Sequence, residues 1–139
     1  MKKQFSIIIK NKLSEIGRVV GFFEKFQEFH NLAKDVVNAV QVALDEMISN
    51  IILYAYEGKE EHEIFIKVRM TDAAVILQIR DDGKKFNPFS STQTKADIQS
   101  SIEERPIGGL GVHLVTSLMD SCEYNYRDKQ NCLIMKKNL

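Results

Sequence analysis

The chain has 139 residues, of which 44% are hydrophobic and 27% charged. This length and composition suit one compact domain and exclude a disordered or fibrous protein. Lysine plus arginine and aspartate plus glutamate both total 19, which gives a formal net charge of +0. The whole chain therefore has no net attraction for nucleic acid or for an anionic membrane surface, and we expect no direct contact with either.

Apolar runs and cysteines indicate the cellular compartment. No apolar run in the sequence approaches the roughly 20 residues of a membrane-spanning helix, and the run at 5–9 is too short for a secretory signal. Cys122 and Cys132 belong to no CxxC pair or Cys/His cluster of the kind that binds metal. We therefore predict a cytoplasmic protein whose two cysteines are buried or half-buried free thiols.

The first part of the chain predicts one strand followed by two helices. Residues 5–9 are rich in β-branched side chains and fit a short strand. Ser14 is a candidate N-cap for an amphipathic helix that ends near 30–31. A longer apolar stripe spans 36–54 and predicts a second helix, with Gly58 as its stop signal.

The middle of the chain predicts a hairpin and then a long loop. Apolar and polar residues alternate over 64–70 and again over 75–79, which indicates two antiparallel strands. Residues 84–106 show no sustained period of either kind. A segment of this length without a clear pattern is typical of a functional lid.

The last part of the chain predicts a helix that opens at Gly108, followed by two strands at 122–126 and 132–135 that are joined around 127–131. Strands outnumber helices, and neighbouring strands are joined by short turns. This order predicts an α+β two-layer sandwich, with a mainly antiparallel sheet and three helices on one face. We expect a single domain over 1–139, with its lid at about 84–107.

Two polar residues on the second predicted helix form the first candidate motif. Glu46 and Asn50 are four residues apart, so they lie on the same side of the helix. A carboxylate and a carboxamide placed in this way would share one pocket. The alternative is a pair of polar residues at the edge of an amphipathic helix, which is common on helix surfaces.

An acidic turn at the end of a predicted strand forms the second motif, Asp81-Asp82-Gly83. A carboxylate there accepts a hydrogen bond from the amino group of a heterocyclic base, and a glycine lets the backbone approach a flat ring. The alternative is an ordinary Asp-Gly turn.

Three glycines at the start of the last predicted helix, Gly108, Gly109 and Gly111, form the third motif. Backbone N–H groups and the positive end of the helix dipole favour an anion such as phosphate at this place. The spacing matches neither the P-loop nor the dinucleotide fingerprint. A hinge for the lid is the alternative reading.

The order of the three motifs resembles the ATP-binding superfamily that includes gyrase, the histidine kinases and the mismatch-repair ATPases. The resemblance covers nearly the whole chain. The sequences of the segments 44–50, 82–88 and 109–115 are most similar to those of the stand-alone anti-sigma-factor serine kinases. This resemblance implies the Bergerat ATP-binding fold.

The resemblance also implies roles for individual residues. Glu46 would be the general base that takes the proton of an attacking serine hydroxyl, and Asn50 would bind the Mg²⁺ that bridges the phosphates of ATP. Asp81, with Gly83, would receive the adenine amino group. The phosphate end would be held by the start of the last helix, namely Gly108, Gly109, Leu110, Gly111 and Val112.

Some positions depart from the family or leave a choice open. Many relatives carry a second glycine where this chain has Lys85, and many carry a histidine where Tyr54 stands, which we place away from the metal. The cations of the lid are candidates for the γ-phosphate, and we favour Arg105 over Lys84 and Lys85. The three histidines show no partner pattern, so we interpret them as surface or packing residues.

The family implies a partner-switching function. The protein would phosphorylate a small anti-sigma-factor antagonist protein and bind a sigma factor when that antagonist is absent. Relatives that are dimers suggest a homodimer. Two alternatives remain: a nucleotide-gated binding module without phosphoryl transfer, and a degenerate fold that binds no nucleotide.

Overall fold

A computed structural model describes residues 3–90 and 109–139. Its five strands form one antiparallel sheet, in the order β1-β2-β3-β5-β4. Their bounds are Gln4–Lys10 (β1), Glu63–Met70 (β2), Ala74–Asp81 (β3), Ser121–Arg127 (β4) and Gln130–Asn138 (β5). The central strand β3 pairs with β2 on one side and with β5 on the other. The predicted α+β fold is confirmed.

Three α-helices belong to the described part of the chain: α1 (Ile16–His30), α2 (Lys34–Tyr54) and α3 (Gly109–Leu118). Helix α1 packs on β1 and on α2, whereas α2 packs on β3, β5 and α3. Since α2 contacts both the middle of the sheet and α3, it connects the two parts of the fold that carry the sequence motifs.

The core lies between the helices and one face of the sheet. Along β2 the residues Ile64, Ile66 and Val68 are fully buried, while the alternate side chains reach the opposite, partly exposed face. Phe23 and Phe26 of α1 are buried in the same cluster. This alternation is the period of a strand with one covered face, and it explains why β2 and β3 could be predicted from the sequence.

The first helix begins differently from our prediction. Ser14 makes no capping hydrogen bond; it lies in a short 3-10 turn, Leu13–Glu15, before α1. Glu15 accepts instead, from the backbone N–H of Lys10 at 2.9 Å and from Arg18 at 3.1 Å. The predicted end at 30–31 is correct, because Asn31 adopts the left-handed conformation that ends a helix.

No uninterrupted apolar run of membrane-spanning length occurs in α2, because polar residues such as Asp45 and Glu46 interrupt it. Within the described residues, α2 is long and apolar enough to cross a membrane by length and composition alone. Its apolar stripe, from Val36 to Ile51, is buried in the protein core. Core packing therefore accounts for its composition. Both cysteines are free thiols, Cys132 buried and Cys122 half-buried, as predicted.

Candidate active site

A cavity of about 240 Å³ lies where one side of α2 faces the ends of β3 and β5. Its lining combines apolar side chains with a few polar ones, a mixture typical of small-molecule pockets. The polar and charged residues of the lining are Asn50, Tyr54, Asp81, Lys84 and Asn131. Residues from two of the three predicted motifs, Asn50 and Asp81, thus contribute to one cavity.

Asn50 and Glu46 occupy successive turns of α2. Asn50 lines the cavity, and its buried side-chain nitrogen has no hydrogen-bond partner within the described part of the chain. A buried amide without a partner costs free energy, so this group is available to a ligand. Glu46 lies one turn earlier and contacts Gly111 of α3.

The contact between Glu46 and Gly111 leaves no room for a side chain at position 111 unless Glu46 moves. A Cβ atom at position 111 would overlap the Glu46 carboxylate. Helix α3 begins at Gly109, so the Glu46 carboxylate lies beside the first turn of that helix. This close approach joins the first and third sequence motifs.

Asp81 is the last residue of β3 and is 3% exposed. One carboxylate oxygen, Oδ1, accepts from the Gly83 backbone N–H at 2.9 Å and from the Asn131 amide at 3.0 Å. Burial raises the pKa of Asp81, and these two hydrogen bonds oppose that rise. Within the described residues, Oδ2 has no protein partner, which leaves it for a ligand.

Asn131 is a pocket residue that our sequence interpretation missed. We had assigned 127–131 to the connection between the last two strands, but the turn is tighter. Asp128 and Lys129 take positive φ angles of 53° and 62°, and β5 already begins at Gln130. Asn131 therefore pairs with Asp81 across the sheet. The alternation of Asn131 with Leu133 and Met135 was the signal available in the sequence.

Gly83 packs tightly against the end of α2 beside the pocket. A Cβ atom there would lie 2.7 Å from both the Cβ and the carbonyl oxygen of Ala55, at the end of α2. The next residue, Lys84, donates its backbone N–H to that same carbonyl at 2.8 Å. We predicted that this glycine lets the backbone approach a flat ring. In the structure the backbone at Gly83 instead approaches Ala55 of the protein itself.

The residues predicted for the phosphate end are only partly described. Arg105 and Gly108 lie outside the described residues, as does most of the predicted lid. Gly109 and Leu110 belong to α3, and Val112 packs against the core. Of the two remaining cations, Lys84 lines the cavity, whereas the Lys85 ammonium lies 5.1 Å from the centre of the Tyr126 ring.

A group of ring and carboxylate side chains borders the site next to Asp81. His62 stacks on Tyr56 with 4.5 Å between ring centroids, and its Nδ1 lies 3.2 Å from a carboxylate oxygen of Asp82. His62 is thus a packing residue at the surface, as we predicted, and it also faces Asp82, a neighbour that the sequence did not indicate. Burial raises the pKa of the Tyr56 hydroxyl, with Asp81 and Asp82 adding to the rise, so this tyrosine is neutral at physiological pH.

Comparison with known proteins identifies the family. The model of the histidine kinase-like ATPase domain matches residues 9–137. The chain belongs to this family. It is also 26% identical over 138 residues to the serine-protein kinase RsbW of Bacillus mycoides, a match that covers 97% of this chain and 79% of that protein. The serine-protein kinase RsbW of Listeria monocytogenes is 27% identical over 105 residues, which are 74% of this chain and 66% of that protein.

A histidine kinase-like ATPase domain implies ATP, usually with Mg²⁺, and the donor set fits such a metal. Among the described residues, no group of three or more His, Cys, Asp or Glu side chains could hold a metal ion. Mg²⁺ accepts one or two protein ligands and takes the others from water and phosphate. The side-chain oxygen of Asn50, which lines the cavity, is a neutral ligand that suits that requirement. Tyr54, which we placed away from the metal, lines the same cavity as Asn50.

Proposed function

We propose that the protein is an ATP-dependent serine protein kinase that acts as an anti-sigma factor and phosphorylates an anti-sigma-factor antagonist protein. The observation that carries this proposal is the arrangement around one cavity. Asp81 and Asn50 line it, and Glu46 lies one helical turn from Asn50 against the start of α3. The similarity to serine-protein kinases over most of the chain supports the same reaction.

The base of ATP would be bound at the strand end of the cavity. Since Asp81 Oδ1 already accepts two hydrogen bonds, Oδ2 would accept from the amino group of adenine. Gly83 keeps the chain close to Ala55 and so shapes the wall behind the base. The apolar lining, which includes Met47, Ile51 and Leu133, would cover the faces of the purine ring.

The triphosphate would lie toward α3. Asn50 would hold the Mg²⁺, which neutralises charge on the phosphates when bound. The α3 segment at 109–112, preceded by Gly108, would seat the phosphates on backbone N–H groups. Lys84 from the cavity wall and Arg105 from the predicted lid are the candidates for the γ-phosphate.

Phosphoryl transfer would then need one proton acceptor. The serine oxygen of the antagonist attacks the γ-phosphorus, the bond to the β–γ bridging oxygen breaks, and ADP leaves. Glu46 would take the proton of the serine hydroxyl, which is the usual task of a positioned carboxylate in such reactions. Its contact with Gly111 would hold the carboxylate near the phosphate end.

The partners follow from the family scheme. When the antagonist is phosphorylated and no longer binds, the protein would hold a sigma factor and keep it from RNA polymerase. A homodimer would be compatible with this function. The protein would work in the cytoplasm, where sigma factors act.

The test is incubation of the purified protein with labelled Mg-ATP and partners co-purified from the native host. We expect label on a serine of a small protein with the wild type and none with Glu46→Gln. Nucleotide-dependent association without any labelled serine would identify a binding module instead. Absence of heat on calorimetric titration with Mg-ATP, with no thermal stabilisation, would indicate a fold that binds no nucleotide.

A further inference from the structure

Asn131 makes five hydrogen bonds through one carboxamide. Its nitrogen donates to Asp81 Oδ1 at 3.0 Å, to the Lys84 carbonyl at 2.9 Å and to the Gly83 carbonyl at 3.3 Å. Its oxygen accepts from the Phe86 backbone N–H at 3.1 Å and from the Tyr124 hydroxyl at 2.6 Å. The side chain is 4% exposed, so water does not compete for these bonds.

These hydrogen bonds hold both Asp81 and the segment that follows β3. The bond to Asp81 occupies one oxygen of the carboxylate, and the bonds to 83–86 fasten the segment after β3 onto β5. Position 131 faces Asp81 in the register of the sheet. Sheet pairing therefore sets the distance between the amide and the carboxylate, and strand ends are rigid supports for a site.

We propose that Asn131 is a positioning residue that reserves Oδ2 of Asp81 for the bound base, so that the pocket prefers a 6-amino purine to a 6-oxo purine. This inference rests on the proposed function, in which the cavity binds an adenine nucleotide. Asn131 itself has no free hydrogen-bonding position for the base, because its five bonds all go to the protein.

The preference depends on an ionised carboxylate. A carboxylate only accepts hydrogen bonds, so it attracts the amino group of adenine and repels the 6-oxo group of hypoxanthine. A protonated Asp81 could donate to that oxygen. Burial raises the pKa of Asp81, and the N–H groups of Asn131 and Gly83 lower it. Loss of the Asn131 donor therefore widens the pH range in which Asp81 is protonated.

Other ionisable groups also lie near Asp81. Asp82 follows it in the chain and raises its pKa further. Tyr56 and Tyr124 face it as neutral phenols, because burial raises the pKa of each above the usual value of 10.0. Lys84 lines the same cavity. Within the described residues, none of these groups donates a side-chain hydrogen bond to the Asp81 carboxylate, which distinguishes Asn131 from them.

The experiment measures dissociation constants of Mg-ADP and Mg-IDP by calorimetry from pH 5 to pH 8. For the wild type we expect tighter binding of ADP than of IDP, with a preference that weakens as acidification protonates Asp81. Asn131→Leu keeps the approximate size of the side chain but lacks the N–H donor to Asp81. It should reduce the preference at pH 7 about tenfold, the usual effect of one charge-assisted hydrogen bond, and move its pH midpoint upward.

Two controls separate positioning from damage to the fold. Tyr124→Phe removes a bond to Asn131 but leaves the donor to Asp81, so preference and midpoint should match the wild type. His62→Phe removes the imidazole next to Asp82, and the pH dependence should persist. Asn131→Ala is the second donor-less variant if the first does not fold.

Each outcome has a defined meaning. Equal affinity of the wild type for ADP and IDP would overturn the inferred preference, even if neither variant folded. So would equal weakening of ADP and IDP in a folded Asn131 variant, because that result reports general loss of structure. If the wild type binds neither nucleotide, the proposed function fails instead, and the two failures are thereby distinguished.

Discussion

The two ends of the candidate site are built in different ways. At the strand end, Asp81 and Asn131 are neighbours in a hydrogen-bonded sheet and are joined directly at 3.0 Å. At the helix end, Glu46 of α2 approaches α3 at Gly111, which has no side chain. The strand end therefore depends on hydrogen-bond chemistry, whereas the helix end depends on available volume. Substitutions at the two ends should therefore impair the site for different reasons.

The largest effect should come from removing the proposed base at the helix end. Glu46→Gln keeps the size of the side chain but cannot take a proton at neutral pH. We expect phosphoryl transfer to fall about 10²–10⁴-fold, while the dissociation constant for Mg-ATP stays near that of the wild type. Transfer to a co-purified antagonist, measured with labelled ATP, checks this. Unchanged transfer would show that Glu46 is not the base.

The next largest effect should come from added volume at the same end. In Gly111→Ala the new methyl group overlaps the Glu46 carboxylate, so the carboxylate must move. We expect about a 10²-fold loss of transfer, of the size that misplacement of a catalytic group causes. In the double variant with Glu46→Gln the two losses should not add.

Gly17→Ala is the matched control for that substitution. A Cβ atom at Gly17 of α1 would meet nothing within 4 Å. The substitution should leave transfer unchanged and raise the free energy of unfolding by about 0.5–1 kcal/mol, because alanine is the better helix former. Equal losses of transfer in both variants would contradict the volume argument.

A smaller effect on binding is expected at the strand end. Asp81→Asn keeps an oxygen that can accept from Gly83 and Asn131, but it removes the charge. We expect affinity for Mg-ADP to fall about tenfold to fiftyfold. Stability should not fall with it, because the ionised Asp81 is buried at a cost.

The pH dependence of that stability difference has a definite sign. The pKa of folded Asp81 lies above its value of 3.8 in the unfolded chain, so the folded state binds the proton first as pH falls. The cost of burying the charge is fully present at neutral pH and is relieved on acidification through the raised pKa. Urea unfolding should show the advantage of Asp81→Asn at pH 7 and a smaller one near pH 4. An advantage that grows on acidification would contradict this assignment.

The smallest effect is expected at the rim of the site. His62→Phe keeps the stacking on Tyr56 but removes the contact with Asp82, whose side chain is 48% exposed. Pairs that reach solvent contribute little, so we expect a change in the free energy of unfolding below about 1 kcal/mol. Thermal denaturation measures it. A loss several times larger would mean that this group stabilises the pocket itself.

The sequence was sufficient to predict most of the fold for a physical reason. Strands β2 and β3 alternate apolar and polar residues because one face of the sheet is covered, and α2 shows a continuous stripe because it lies on that face. The start of α1 was mispredicted because Ser14 has the residue type of a cap without its hydrogen bond. Local propensity does not reveal which partner a side chain finds.

The candidate site was predictable where its parts are short motifs. The helical spacing of Glu46 and Asn50, and the strand that leads to Asp81, needed no knowledge of distant contacts. Asn131 was missed because its importance comes from pairing with a residue 50 positions earlier in the chain. Its place in β5 depends on the tight turn at Asp128 and Lys129, which the surrounding polar residues concealed. The close approach of Glu46 to Gly111 was likewise not predictable, since it arises from a contact between two helices.

That tight turn has a consequence for how the chain can vary. Side chains of a strand alternate between the two faces, so a shift of β5 by one position would send Asn131 to the uncovered face. An insertion of one residue after Arg127 that was absorbed by such a slip would leave Asp81 opposite a different side chain. The length of a hairpin loop on the surface is thus constrained by the requirements of a buried carboxylate, although no atom of that loop lines the cavity.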